Sequence, residues 1–107
     1  EGLLRNNKFI DLKHSLFDND SFFMTGCADM ITLKSDKSER SVTVSYPGFT
    51  YLGVWHMPNT DAPFVCIEPW YGSPAPLGQY SDIEKMDDMF HLEPNESKTV
   101  SFDIIIK

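Results

Sequence analysis

Phe64-Val65-Cys66-Ile67-Glu68-Pro69-Trp70 is the stretch whose reading decides the fold. It is an apolar, strand-like run with one carboxylate near its end and a tryptophan just beyond it. In a strand, side chains alternate between the two faces, so Phe64, Cys66, Glu68 and Trp70 share one side while Val65, Ile67 and Pro69 share the other. A carboxylate on an apolar strand is costly unless something pairs with it or uses it. A ring beside a carboxylate at the rim of a sheet can hold a sugar, the ring stacking on its C–H face and the carboxylate accepting hydroxyl protons. The plainer alternative is a strand that ends at Pro69 with Glu68 merely solvated. Taken alone, the stretch leans slightly to that alternative.

The preceding segment, Tyr51 to Met57, is read as the partner strand, joined through Pro58-Asn59-Thr60-Asp61-Ala62-Pro63. Pairing Met57 with Phe64 sets Trp55 opposite Cys66, Gly53 opposite Glu68 and Tyr51 opposite Trp70, all on one side of the sheet. Gly53 has no side chain, so this register expects an open space across from Glu68, walled by Trp55, Tyr51 and Trp70. A bulge at Gly53 is the other option. His56 then points away from Glu68.

Moving outward, Arg40 to Tyr46 alternates strictly, with Val42, Val44 and Tyr46 inward against Ser41, Thr43 and Ser45, and Pro47-Gly48 closes it. Asp29 to Ser35 and Ser21 to Met24 read as two further strands, with a bend at Gly26. The segment Lys34 to Arg40 reads as a solvated hairpin tip. At the end of the chain, Val100, Phe102, Ile104 and Ile106 alternate against Ser101, Asp103 and Ile105, a strand expected to need a partner on both sides. Tyr71 to Tyr80 is rich in Gly and Pro and reads as a loop. Asp82 to Leu92 reads as a turn or a single helical turn, and Glu1 to Asp11 as an irregular lead-in with a turn at Asn6-Asn7. Six or so short strands with turns between them predict an all-β, antiparallel sandwich, with residues 1–107 as a single domain.

The formal charge of −7 argues against nucleic acid and anionic membrane surfaces as partners. No apolar run is long enough to span a bilayer as a helix. The two cysteines, Cys27 and Cys66, lack CxxC spacing. Two free, largely buried thiols in a reducing cytoplasm are the default, with a disulfide between them as the alternative. The Asp18-Asn19-Asp20 cluster lacks the ordered spacing of a calcium loop, so no metal site is expected there. No Gly-rich phosphate loop or His/Cys ligand cluster is present, so no cofactor is expected.

The succession Phe49-x-Tyr51-Leu52-Gly53-Val54-Trp55, then Ala62-Pro63-Phe64-Val65-Cys66-Ile67-Glu68-Pro69-Trp70-x-Gly72, then Lys85, then Leu92-x-Pro94 and a closing apolar strand, resembles the C-terminal end of the aldose 1-epimerase (galactose mutarotase) superfamily. The resemblance is to its bacterial LacX-like, or galactose mutarotase-related, branch and runs from about Leu16 onward. It implies part of a large β-supersandwich acting on free aldoses such as galactose or glucose without a cofactor. It also implies that Glu68 is the general base that takes the proton of the anomeric hydroxyl while a histidine protonates the ring oxygen. Trp55, Trp70, Tyr51 and Gly53 would line the sugar pocket. Members of the superfamily are considerably longer, and their acid histidine precedes the matching portion. None of His14, His56 or His91 falls in a matching motif.

The chain is therefore expected to be the C-terminal part of a mutarotase-like domain whose upstream part is missing, carrying the base without the acid. A non-catalytic carbohydrate-binding module is the competing reading, separated from the first by whether an acid stands within reach of the sugar ring oxygen. A third is an assembly fragment. Open sheet edges in a slice of a supersandwich predict a homo-oligomer.

Overall fold

The structure, a computed structural model, describes residues 4–76 and 78–107. Glu1–Leu3 of the lead-in and Leu77 of the Gly/Pro-rich loop lie outside the described residues. Among the described residues six strands form, β1 (Phe22–Thr25), β2 (Met30–Ser35), β3 (Ser38–Ser45), β4 (Tyr51–Trp55), β5 (Cys66–Trp70) and β6 (Asp103–Ile106), with single 3-10 turns at His14–Phe17 and Ile83–Lys85. They make two antiparallel sheets in the orders β1-β4-β5 and β2-β3-β6. The all-β sandwich expected from the turn spacing is the fold observed. Among the described residues no helix is long and apolar enough to cross a membrane.

The alternation of β4 explains how the first sheet packs. Leu52 and Val54 turn inward and are 1% and 3% exposed. In register with them, Phe22 and Met24 of β1 and Ile67 and Pro69 of β5 fall on the same inner face. The second sheet contributes Val44, and the residue after β3, Tyr46, joins it; together with Phe17 these close one core between the sheets. Truncating a side chain such as Leu52 at the middle of such a core costs about 2–5 kcal/mol.

The sequence-predicted strands are shifted or shortened by local chemistry. Phe64 stays out of β5 because its amide donates to Ala62 O at 2.9 Å, a tight turn just after Pro63. The hairpin between β2 and β3 has a bulge at Lys34/Ser35 and turns at its charged tip. Both cysteines are free, but Cys27 is exposed where burial was expected, since it follows the Gly26 bend (φ 67°) outside any strand. At the lead-in, Asn6 and Asn7 take positive φ in a turn closed by an Arg5–Phe9 bridge.

The closing strand departs most from expectation. Among the described residues β6 pairs with β3 alone, and Ile104, Ile105 and Ile106 are exposed, Ile106 to 78%. Val100 to Phe102 have nothing to pair with because Ser45 is already opposite Asp103, and beyond it Pro47 and the positive φ of Gly48 turn the chain away. The register nonetheless builds a continuous aliphatic face from Ile31, Val44 and Ile104 in one row and Leu33, Val42 and Ile106 in the next. The radius of gyration is 16.1 Å, against about 13 Å for a compact domain of this size. The second sheet is the open side of the sandwich.

The Tyr46 hydroxyl is buried with no hydrogen-bond partner among the described residues. Burial, reinforced by Cys27 and Asp29, pushes its phenol from the ordinary 10.0 up to about 12. A raised phenol favours the folded state while it is neutral, so this contribution is complete below about pH 10 and is lost as pH rises through about 12. Tyr46→Phe is expected to gain about 1 kcal/mol at neutral pH, because an unpaired buried hydroxyl is removed. It should also lack the decline in stability that the parent chain shows between pH 10 and 12 in urea titrations. Destabilisation of the variant at neutral pH would count against an orphaned hydroxyl.

Candidate functional site

The expected β4–β5 register is the one observed: Tyr51 opposite Trp70, Gly53 opposite Glu68 and Trp55 opposite Cys66. The core fixes it, because Leu52, Val54, Ile67 and Pro69 take the inner face and send Tyr51, Gly53, Trp55, Glu68 and Trp70 to the outer one. All five sequence-predicted site residues stand on this one surface.

The Glu68 carboxylate is held by both tryptophans of the chain. Trp55 Nε1–H donates to Oε1 at 2.6 Å and Trp70 Nε1–H donates to Oε2 at 3.2 Å. Hydrogen bonds to a charged acceptor are roughly twice as strong as neutral ones. The indoles are themselves anchored, Trp55 edge-on against Phe64 at 5.8 Å and Trp70 edge-on against Phe23 at 5.4 Å. Phe23 in turn stacks on Tyr51 at 5.0 Å.

Phe23 is the site residue that sequence reading missed. It reaches the face because β1 pairs with β4 and sets Phe23 opposite Gly53. The adjacent Phe22 and Phe23 offer no local sign of which ring turns inward; only the partner strand decides.

The open space expected over Gly53 is not there. The edge of the Trp70 indole fills it, with Nε1 3.4 Å from where a Cβ on Gly53 would stand. Gly53 is therefore the floor under an indole rather than a gap between walls, and it is no bulge, since its pairing with Glu68 is in register. Tyr51 is tied outward: its hydroxyl donates to Asp88 Oδ2 at 2.7 Å, and this bond holds the phenol above its ordinary range. The acidic segment after the Gly/Pro-rich loop thereby docks beside the face. Tyr71, stacked on Phe49 at 4.2 Å and packed on Phe90 at 4.5 Å, fastens the same segment from behind.

The histidines stand elsewhere. His56 follows Trp55 with the opposite facing and is 3% exposed beside Phe17, its Nε2–H donating to Ala62 O at 2.7 Å. His14 meets the His56 ring at 4.9 Å, and His91 is exposed. No hydrogen bond joins any of the three to Glu68 among the described residues. The Asp18-Asn19-Asp20 turn serves the backbone: Asp18 accepts from Asn59 N at 2.9 Å and Asp20 from Ser21 N at 2.7 Å. Two cavities, of about 460 Å³ beside His14, Asp18 and Asp61 and about 310 Å³ beside Phe17, Trp55 and His56, open at the loop end of the sandwich. Neither contains Glu68.

An anionic oxygen pair set in a row of aromatic rings, on the outer face of an antiparallel sheet, defines an all-β protein with a carboxylate-and-indole surface. The chain is 31% identical over 104 residues to each of two LacX proteins of Lactococcus lactis subsp. lactis, one plasmid-borne and one chromosomal. The match takes in 96% of this chain and 34% of each LacX protein, so the chain spans about a third of the length of these curated relatives. The LacX likeness, read from the Phe49–Trp55, Ala62–Gly72 and later runs as covering the chain from about Leu16 onward, is matched over 104 residues. No family model matches the chain, and no solved structure does.

The tight fit over Gly53 makes a prediction. Gly53→Ala places its Cβ at ordinary contact distance from the indole and should be tolerated, whereas the branched Gly53→Val should push Trp70 off Glu68. The expected result is a near-ultraviolet circular dichroism spectrum that changes in the Val variant and is preserved in the Ala variant. Equal spectra for both would contradict the contact.

Proposed function

We propose that this chain carries the base and sugar platform of an aldose 1-epimerase-like isomerase, with Glu68 removing the proton of the anomeric hydroxyl. The observation that carries the reading is the Glu68 carboxylate held between Trp55 and Trp70 on an exposed aromatic face. The superfamily resemblance and the LacX similarity support it. As Glu68 takes the O1 proton, the C1–O5 bond breaks, the O1–C1 pair becomes a carbonyl and O5 receives a proton from an acid. Rotation about C1–C2 and the reverse steps then give the other anomer. Acid–base assistance of this kind contributes roughly 10²–10⁴-fold per group. The histidine that protonates O5 belongs, on the resemblance, to a portion of the protein preceding these residues. The same portion would wall the platform into a pocket.

A module that binds sugar without reacting it is the second reading. It is favoured by one observation: among the described residues none of the three histidines is hydrogen-bonded to Glu68, whose two side-chain partners are Trp55 and Trp70. Polarimetry separates the two. Freshly dissolved α-D-galactose or α-D-glucose should mutarotate faster with the chain than without it, and Glu68→Gln, nearly isosteric, should lose that acceleration while keeping the fold. Retained acceleration in a folded Gln variant would remove Glu68 as the base. A folded parent chain that binds the sugar without acceleration would favour the module.

In either reading we expect two copies to join through β6. Its outer edge is unpaired among the described residues, and Phe102, Ile104 and Ile106 beside it are 51%, 60% and 78% exposed. The accessible surface is 8811 Å², whereas a monomer of this mass exposes about 6,100 Å². The excess exceeds the roughly 800 Å² that each partner buries in a standard interface. Since each copy carries −7, association should strengthen with salt. Light scattering should give twice 12.2 kDa for the parent chain and a single copy for Ile104→Lys. A monomer at every concentration and salt would rule out the β6 contact.

A further inference from the structure

We infer that Trp55 and Trp70 are positioning residues for Glu68, clamping its carboxylate in one orientation through their indole N–H groups. This rests on the reading of Glu68 as the reacting carboxylate.

The geometry is specific. A carboxylate offers in-plane lone pairs on both oxygens, about four acceptor directions in all. One direction on each oxygen is taken, by Trp55 at 2.6 Å and by Trp70 at 3.2 Å, from opposite strands of the hairpin. One direction on each oxygen remains for a hydroxyl. An unclamped glutamate side chain samples several rotamers about its sp³ bonds, and each reorients these directions. Two donors on two oxygens set both its position and its plane. The clamp is stiff because its arms are held by their neighbours: Phe64 abuts Trp55, Phe23 abuts Trp70, and Gly53 leaves room for the N–H edge of the Trp70 indole.

The clamp also fits the proton traffic. Glu68 must take a proton from O1–H when the ring opens and return the same proton to O1 when it closes. The indole N–H groups donate throughout and exchange no proton with the sugar.

Two tryptophans are present in the whole chain, so a ¹⁵N-labelled sample gives two indole N–H signals, and both report on Glu68. In Glu68→Ala both signals should move and exchange faster with solvent, while the backbone signals of β2, β3 and β6 keep their positions. Glu68→Gln supplies a second measurement if the Ala variant unfolds. Its amide oxygen can accept one indole N–H and its amide nitrogen none, so one indole signal should move much further than the other. Either signal remaining unmoved in a folded Glu68→Ala would overturn the clamp. For the chemistry, Trp70→3-benzothienylalanine keeps the bicyclic ring and replaces N–H by sulfur. A positioning role predicts a ten- to hundredfold fall in the mutarotation rate constant with KM little changed. An unchanged rate constant would overturn positioning. A role in ring stacking alone would leave this variant as active as the parent. If the parent chain itself does not accelerate mutarotation, the catalytic consequence is overturned for this chain, and the indole signals by themselves decide whether the clamp exists.

Discussion

Glu68 can stand at the surface only because Ile67 and Pro69 are committed to the core, and everything proposed for the outer face depends on that constraint. The side-chain period of a strand is two, so a slip of one residue in the β4–β5 ladder would bury the carboxylate against Leu52 and Val54 and expose Ile67. An unpaired charge inside such a core is costly enough to forbid the alternative register. The hydrophobic effect thus does the aiming. Burial of the even members of β4 fixes the odd members, and with them the row Tyr51, Gly53 and Trp55.

The two sheets differ in how far this logic is satisfied. In the first, both faces have partners: the inner one packs on Phe17 and Val44, and the outer one is layered by Phe23, the indoles and the docked acidic segment. In the second, the inner face begins well, with Val44 buried, and runs out along Val42, Leu33 and Ile106. The sequence pattern of β6, apolar on both sides, is that of a strand buried from both faces, yet its surroundings cover neither. A pattern so at odds with its environment is evidence of a missing contact, and this is the physical basis for expecting association at β6.

How much of this could be read beforehand follows the same division. Strand existence and the β4–β5 register were legible because they rest on local alternation and on a short, Pro-bounded connection. The position of His56, away from Glu68, followed from the same alternation. Strand order was not legible: β1 neighbours β4 and β6 neighbours β3 across long stretches of chain, and no short-range signal encodes either pairing. Phe23 was lost for that reason. The filling of the space over Gly53 was illegible for another. A glycine announces room for something, but whether that is a ligand or the edge of a neighbouring indole depends on side-chain rotamers that spacing does not set. The exposed Cys27 shows the limit of a residue-type average, since cysteines are usually buried but this one lies past a bend.

The finding that the indoles bond Glu68 bears on what the tryptophans are available to do. An indole has one N–H, lying in the plane of the ring, and two π faces perpendicular to it. Committing the N–H to Glu68 therefore does not consume the surface on which a sugar C–H face would stack. On the proposed sugar-binding reading, it removes the option of using that N–H on a sugar hydroxyl and leaves polar recognition to the free lone pairs of Glu68. Trp70 is 39% exposed beside the carboxylate that it bonds. Apolar stacking and directional acceptance thus come from separate atoms held in one rigid unit, so a ligand can be gripped and oriented without either function loosening the other.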